Sequence, residues 1–158
     1  MPTTSQNQQN TAKRLGTLGE SLAQSYLLEY ADFCFPTTDG HPADLILEIS
    51  NALYRVQVKT RNVSKEGKYT FPLETHRTKS DIHANYKCDL LAFVFMPDKR
   101  IIFRANTSNQ QYFAYRKKDL VENVEYLSLI ESLNSLSSVP VVNSILFSSR
   151  SCITLLVS

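Results

Sequence analysis

Tryptophan is missing from this 158-residue chain, and cysteine and glycine are scarce, at three and four residues. The cysteines, Cys34, Cys88 and Cys152, are odd in number and far apart, which excludes a disulfide framework, and no Cys or His pair has the spacing of a zinc site. Charge of one sign is lacking as well. Seventeen Lys and Arg against fifteen Asp and Glu leave a net charge of only +2, so overall basicity identifies no nucleic-acid partner and local clusters must decide. No apolar run approaches the ~20 residues that cross a bilayer, and the polar opening "MPTTSQNQQNTAKR" has no apolar signal core. What remains is a cytoplasmic protein in a reducing compartment. Its length suits a single domain over residues 1–158, and a 42% hydrophobic, 20% charged composition excludes wholesale disorder.

Residues 1–10, rich in Gln, Asn, Ser and Thr, read as a flexible arm. From Thr11 to about Ala31 the chain has helical period, with Leu15, Leu18, Leu22 and Tyr26 on one stripe and Ala23 and Leu27 beside it. The period then changes. "ADLILEIS" and "LYRVQVKT" alternate and are rich in branched residues, so they read as two strands joined by a tight turn at Ser50, Asn51 and Ala52. "KYTFPLE" (68–74) is a third strand, and Pro72 marks it as an edge. "CDLLAFVFM" (88–96) is apolar throughout, as a central strand covered on both faces must be, and "RIIFRA" pairs with it across "PDK". A surface segment, "THRTKSDIHANYK", lies between, and a helix is expected over "RKKDLVENVEYLSLIESLNSL" with Leu120, Val124, Leu127 and Ile130 or Glu131 on its face. The order of elements predicts a mixed β-sheet flanked by helices, of the α/β or α+β class.

Directly opposed residues of an antiparallel pair share a face and have a constant index sum. A turn centred between Ser50 and Asn51 gives 101 and sets Asp44 opposite Gln57, whereas one centred between Asn51 and Ala52 gives 103 and sets Asp44 opposite Lys59. Either register gathers Asp44, Gln57 and Lys59 on one face. Glu20 joins them if the first helix packs across that end of the sheet. A carboxylate, further oxygen ligands and a lysine at one place suit Mg²⁺-assisted phosphodiester hydrolysis, because Mg²⁺ prefers hard oxygen donors and an ammonium offsets the charge that builds on the phosphorus. In that scheme Asp44, Glu20, the Gln57 amide oxygen and the Val58 carbonyl hold metal, and Lys59 is the catalytic cation. Taken singly, Asp44 is an ordinary strand-edge carboxylate and Lys59 a solvated partner worth little. The combination, in order and on one face, carries the reading.

"GTLGE" (16–20), then "PAD", then "QVK", each in its strand or helix context, resemble the PD-(D/E)xK nuclease superfamily over about residues 11–105. The resemblance implies a restriction-endonuclease-like fold, divalent-metal cleavage of double-stranded DNA by Mg²⁺ (Mn²⁺ able to substitute), Asp44 as the motif aspartate, Lys59 as the motif lysine and Glu20 as the helix carboxylate. Two departures stand out: Ala43 separates Pro42 from Asp44, and Gln57 replaces the usual acidic residue. The glutamine, the helix glutamate and the small size make the chain most similar to the homing endonuclease encoded in a cyanobacterial group I intron, a type that implies a homotetramer on long pseudopalindromic sites. The near alternatives are a Holliday junction resolvase, a restriction-type nuclease, or a catalytically decayed DNA-binding protein on the same fold.

Arg61, Lys65 and Lys68 around the turn after the "QVKT" strand, and the run Arg116, Lys117, Lys118, suit phosphate contacts, although each singly is an ordinary surface cation. In "ETHRTKSD", His76, Arg77 and Lys79 have the donors suited to base edges. His41, His76 and His83 lack metal-ligand spacing and take no catalytic part. The hydrophobic tail, residues 139–158, reads as an oligomer interface, in a tetramer as the resemblance implies or a dimer, since exposed it is an aggregation hazard.

Overall fold

The computed structural model describes residues 4–62, 64–73, 88–107 and 112–137. Helix α1 (Thr4–Leu27) leads into strands β1 (Phe33–Pro36), β2 (Leu45–Ile49), β3 (Ala52–Arg61), β4 (Lys68–Pro72), β5 (Leu90–Phe95), β6 (Arg100–Ala105) and β7 (Tyr112–Arg116). A 3-10 turn (Lys117–Asp119) and helix α2 (Val124–Leu136) follow. Five strands form one sheet in the order β1-β2-β3-β5-β6, and β4 and β7 form a separate two-stranded ribbon. The large sheet is mixed: β3 and β5 run parallel, while every other neighbouring pair in it is antiparallel. Among the described residues no helix is long and apolar enough to cross a membrane.

The β2–β3 hairpin closes with Leu45 opposite Val56 and Ile49 opposite Ala52, the register of index sum 101. Ser50 and Asn51 both have positive φ (53° and 64°), the backbone that a two-residue turn needs to match the twist of its strands. Lys65 and Lys68 bound a second such turn, exchanging N–H to carbonyl bonds of 2.9 Å across Glu66 (φ 54°) and Gly67 (φ 72°). Strand β5 is buried along its whole length, as its apolar run requires, and β6 pairs with it through the turn at Pro97–Lys99.

The two faces of the sheet are covered differently. On one face Ala23 and Leu27 of α1 and Leu129 and Leu133 of α2 pack with Leu45, Leu47, Val56, Val58, Leu90, Val94 and Phe103 in a largely aliphatic core. On the other, the ribbon lays Tyr69, Phe71 and Tyr115 on Leu91, Phe93, Phe95 and Ile102. That core is aromatic, with Phe71 and Phe113 ring centroids each 4.9 Å from that of Phe93. Because the ribbon reaches β5 and β6, the same face of β2 and β3 stays partly open, and Ile46, Glu48, Gln57 and Lys59 there are half-buried.

Several boundaries differ from the sequence pattern. The polar stretch 4–10 belongs to α1 rather than to a loose arm, and the helix ends at Leu27 rather than near Ala31. Once nucleated, a helix extends through polar residues with no core contact to hold them. The docked stripe centres on Gly19, Ala23 and Leu27, leaving Leu18 57% exposed. Helix α2 starts at Val124, not Arg116, and turns Leu127 outward while burying Ser128, Leu129, Ser132 and Leu133. The serines earn those positions through hydrogen bonding: Ser128 Oγ accepts the Phe103 N–H at 2.9 Å, closing a donor on the outer edge of β6, and Ser132 Oγ donates to Ser128 O. Strand β7 has no counterpart in the sequence reading.

Candidate active site

Asp44 lies just before β2, where its backbone is fixed from both sides. Its N–H donates to Val56 O at 2.9 Å, and its carbonyl accepts the Thr37 N–H at 2.9 Å and the Thr37 hydroxyl at 3.2 Å. The preceding loop is tied down as well, since Ala43 N–H donates to His41 Nδ1 at 3.1 Å, which gives His41 a structural place there. The ladder of the hairpin, in the 101 register, begins at Leu45 opposite Val56, and Asp44, one residue before it, brings its side chain to Gln57 and within the field of Lys59. Gln57 Nε2 donates to Asp44 Oδ2 at 2.5 Å, and the Val58 N–H donates to the same oxygen at 2.6 Å. By the alternation of a strand, the Val58 carbonyl leaves β3 on the side of that N–H, toward Asp44.

Glu20 arrives from α1 through a close approach. A Cβ built on Gly19 would meet Thr60 Oγ1 at 1.9 Å, so only glycine lets the helix rest on β3 at this turn. The next residue is thereby placed within reach of Asp44. Burial raises the Glu20 carboxyl above its ordinary value, the Asp44 charge raises it further, and Asp39 adds to the effect. Asp44 is raised too: burial outweighs the Val58 N–H and the Lys59 charge, both of which lower it. Two carboxylates that resist ionisation at one place, with neutral oxygens beside them, form a donor set suited to a hard divalent cation. Among the described residues no cluster of three or more acidic, His or Cys side chains is arranged around a metal position. The donors that Asp44, Glu20 and their neighbours could offer such a cation are thus two carboxylates and neutral oxygens.

Two neighbours were not legible in the sequence. Asp39, in an exposed turn five residues before Asp44, acts on Glu20 through space, and only the turn dipeptide Asp39–Gly40 hinted at an ordered loop there. Cys88 is buried beneath the site, its thiol pushed up to about 11 by burial and to a smaller degree by Asp89, while Lys59 acts in the opposite sense. Cys34 is buried elsewhere in the core, and burial likewise moves it to about 11. Both thiols are thus inert core groups.

The cations split into three groups. Arg61 continues the row of Gln57 and Lys59 on β3, and its Nε donates to Thr70 O of the ribbon at 2.8 Å. Lys65, Lys68, Arg116, Lys117 and Lys118 are exposed at one end of the ribbon, where Lys68 opposes Arg116 and Lys117 N–H donates to Gly67 O. Lys117 Nζ also lies 3.1 Å from Asp98. His76, Arg77 and Lys79 fall outside the described residues, as do His83 and the tail 139–158.

A helix carboxylate, an aspartate leading a strand and a lysine on the partner strand define the metal-dependent nucleases of restriction-endonuclease-like fold, and the sequence comparison agrees. The profile of the family described as PD-(D/E)XK endonuclease matches residues 10–98, and the chain belongs to that family. Among solved structures it is similar to that of a bacterial homing endonuclease, I-Ssp6803I, with a TM-score of 0.52 and 15% identity over 68% of this chain and 79% of that one. At that identity the likeness concerns the fold. No curated protein matches the chain.

Proposed function

We propose that the chain is a site-specific double-strand DNA endonuclease of the homing type that hydrolyses phosphodiesters with Mg²⁺, for which Mn²⁺ can substitute. The observation that carries this reading is the placement of Asp44 against Gln57 and Val58, on the face that also bears Lys59, with Glu20 near enough to feel its charge. Asp44 and Glu20 supply the charged ligands, and the Gln57 amide oxygen and the Val58 carbonyl the neutral ones. The divalent ion supplies Lewis acidity and lowers the pKa of water. Lys59 orients the attacking water and stabilises the negative charge that grows on the phosphoryl oxygens. The half-open face beside β3 admits the scissile phosphate, Arg61, Lys65, Lys68, Arg116, Lys117 and Lys118 hold flanking phosphates, and His76, Arg77 and Lys79, in the segment after β4, meet base edges. The active species is a homo-oligomer, which suits the symmetry of duplex sites, with residues 139–158 as its interface.

One contact favours a second reading. Gln57 turns its Nε2 toward Asp44, so in this state a neutral donor occupies one lobe of the carboxylate, as in a protein that keeps only DNA binding. Incubating the protein with plasmid, in Mg²⁺ or in EDTA, separates these outcomes. Discrete fragments that need Mg²⁺ support the homing or restriction type. Cutting of branched DNA alone would make the protein a resolvase, and binding without cutting in either buffer would sink the nuclease proposal.

A further inference from the structure

Only Lys68 and Arg116 of the ribbon's outward face enter the reading above, as phosphate contacts, yet its register brings an unusual set of side chains together. In β4 and β7, Tyr69, Phe71 and Tyr115 point inward, and the alternate residues Lys68, Thr70, Pro72, Tyr112, Ala114 and Arg116 are exposed. Opposed pairs share a face, so the outer surface reads Lys68 with Arg116, Thr70 with Ala114, and Pro72 with Tyr112. A charged pair thus leads, a small pair occupies the middle, and an aromatic, 61% exposed, closes the row. Around the charged end, Arg61, Lys65, Lys68, Arg116, Lys117 and Lys118 gather against the carboxylates Glu66, Asp98 and Asp119. That excess of three positive charges exceeds the +2 of the entire chain. The charge that the whole composition hides is concentrated here.

We propose that this outward face is the base-reading surface for duplex DNA, inserted in the major groove beside the scissile phosphate; the inference rests on the nuclease reading above. Size selects the groove. Two strands about 4.8 Å apart with their side chains fill a groove of about 12 Å and exceed one of about 6 Å. A five-residue strand spans about 17 Å, the rise of roughly five base pairs at 3.4 Å each. Position agrees as well. Gln57, Lys59 and Arg61 succeed one another along one face of β3, and Arg61 is bonded to the ribbon at Thr70 O, so the reading face begins about 13 Å from the Gln57 end of the site. Chemistry completes the match: Lys68 and Arg116 present donors for guanine O6 and N7 or for phosphate, and Thr70 and Ala114 present methyl groups to thymine. The rigid aromatic core beneath holds the face in place.

The test uses the full-length protein in EDTA with short duplexes of randomised centre, recovering those that bind. The wild type should select a motif. Thr70→Ser combined with Ala114→Ser, which removes one methyl group and turns the other into a hydroxymethyl, should change the preferred base at adjacent positions of that motif by about tenfold. Lys68→Ala or Arg116→Ala should weaken binding and lower the salt slope by about one if the contact is to phosphate, or relax one guanine position if it is to a base. Methylation of guanine N7 should interfere with binding. If the double variant proves less stable than the wild type, Tyr112→Ala at the far end of the same face replaces it, with a shifted outer position of the motif as its readout. An unchanged motif and affinity in these variants overturns the inference, as does interference at adenine N3 in the minor groove or a ribbon substitution that changes the molecular mass in light scattering. Binding without any base preference also overturns it, together with the site specificity proposed above, while Mg²⁺-dependent cutting of plasmid would still show a nuclease. Failure to bind or cut any duplex removes both.

Discussion

Two corners of the molecule hold a half-buried carboxylate, and the protein treats them in opposite ways. Where β6 meets α2, Glu125 accepts the Arg100 guanidinium through both oxygens, one bond at 2.9 Å, and the Ile101 N–H at 3.3 Å. Burial pushes Glu125 up, but the Arg100 bonds and the backbone N–H donors outweigh it and leave the carboxyl below its ordinary value. Asp44, at the opposite side of the sheet, also has two close donors, yet both are neutral, the Gln57 amide and the Val58 N–H. Burial wins there, and Asp44 stays raised despite the charge of Lys59. Glu125 is a finished ion pair that closes a strand edge. Asp44 and Glu20 are anions whose neutralisation is incomplete, which is the condition under which a divalent cation binds with gain.

The largest contrast should come from removing the charge at each corner. Asp44→Asn is expected to reduce cleavage to background while retaining DNA binding and melting temperature, because the amide still accepts the Val58 N–H but holds a cation poorly. Glu20→Gln should fall in the same direction. Cleavage of plasmid and binding by fluorescence anisotropy check both, and full turnover in Asp44→Asn would remove Asp44 from the chemistry. Lys59→Met, which keeps the alkyl stem and deletes the ammonium, should bind DNA normally and cut on the order of a hundredfold more slowly at saturating DNA and Mg²⁺. An unchanged rate would leave β3 without a catalytic cation.

At the other corner the expected damage is to stability alone. Glu125→Ala leaves the Arg100 guanidinium and the Ile101 N–H without their acceptor and should cost about 2–3 kcal/mol, read as a lower urea midpoint at unchanged slope. Cleavage per folded molecule should not change. A variant that loses activity but keeps its midpoint would contradict the separation of the two corners.

Much of the Asp44 corner was legible because a hairpin obeys arithmetic. Asp44, Gln57 and Lys59 share a face with either index sum, 101 or 103, and choosing 101 required only the positive φ at Ser50 and Asn51, a turn their short polar side chains tolerate. Strands β2, β3, β5 and β6 announced themselves by alternation or by an unbroken apolar run. The Glu125 corner was not legible. Its helix face depends on Ser128 and Ser132, whose burial follows from hydrogen bonds that apolar periodicity ignores, and "YFAYR" has no strand reading, its last residue, Arg116, being taken as the start of the expected helix. Strand β4 finds its partner about forty residues away, and no local signal carries such a pairing. Glu20 fell between these cases: its place depends on helix docking, and Gly19 was the one residue that recorded it.

The smallest effect is the most diagnostic, because the two corners should respond to pH with opposite signs. Glu125 is lowered on folding, so the stability it contributes is present above its unfolded value near 4.5 and is lost as pH falls through its folded value. Asp44 and Glu20 are raised, so their contribution is fullest below the unfolded values near 3.8 and 4.5 and is lost as pH rises through the folded ones. At neutral pH without metal these two carboxylates therefore oppose folding, and Asp44→Asn should be at least as stable as the wild type. A bound cation reverses this. Mg²⁺ at ten times its dissociation constant should stabilise the wild type at pH 7 by about 1.4 kcal/mol, with a smaller gain at acidic pH where protons compete for the same oxygens. Gln57→Glu, which adds a third carboxylate, should enlarge the gain, Gln57→Leu should reduce it, and Asp44→Asn should abolish it. Thermal melts of the four proteins with and without Mg²⁺ at two pH values measure each difference. Equal Mg²⁺ shifts in the wild type and Asp44→Asn would place the ion away from Asp44 and erase the contrast between the corners.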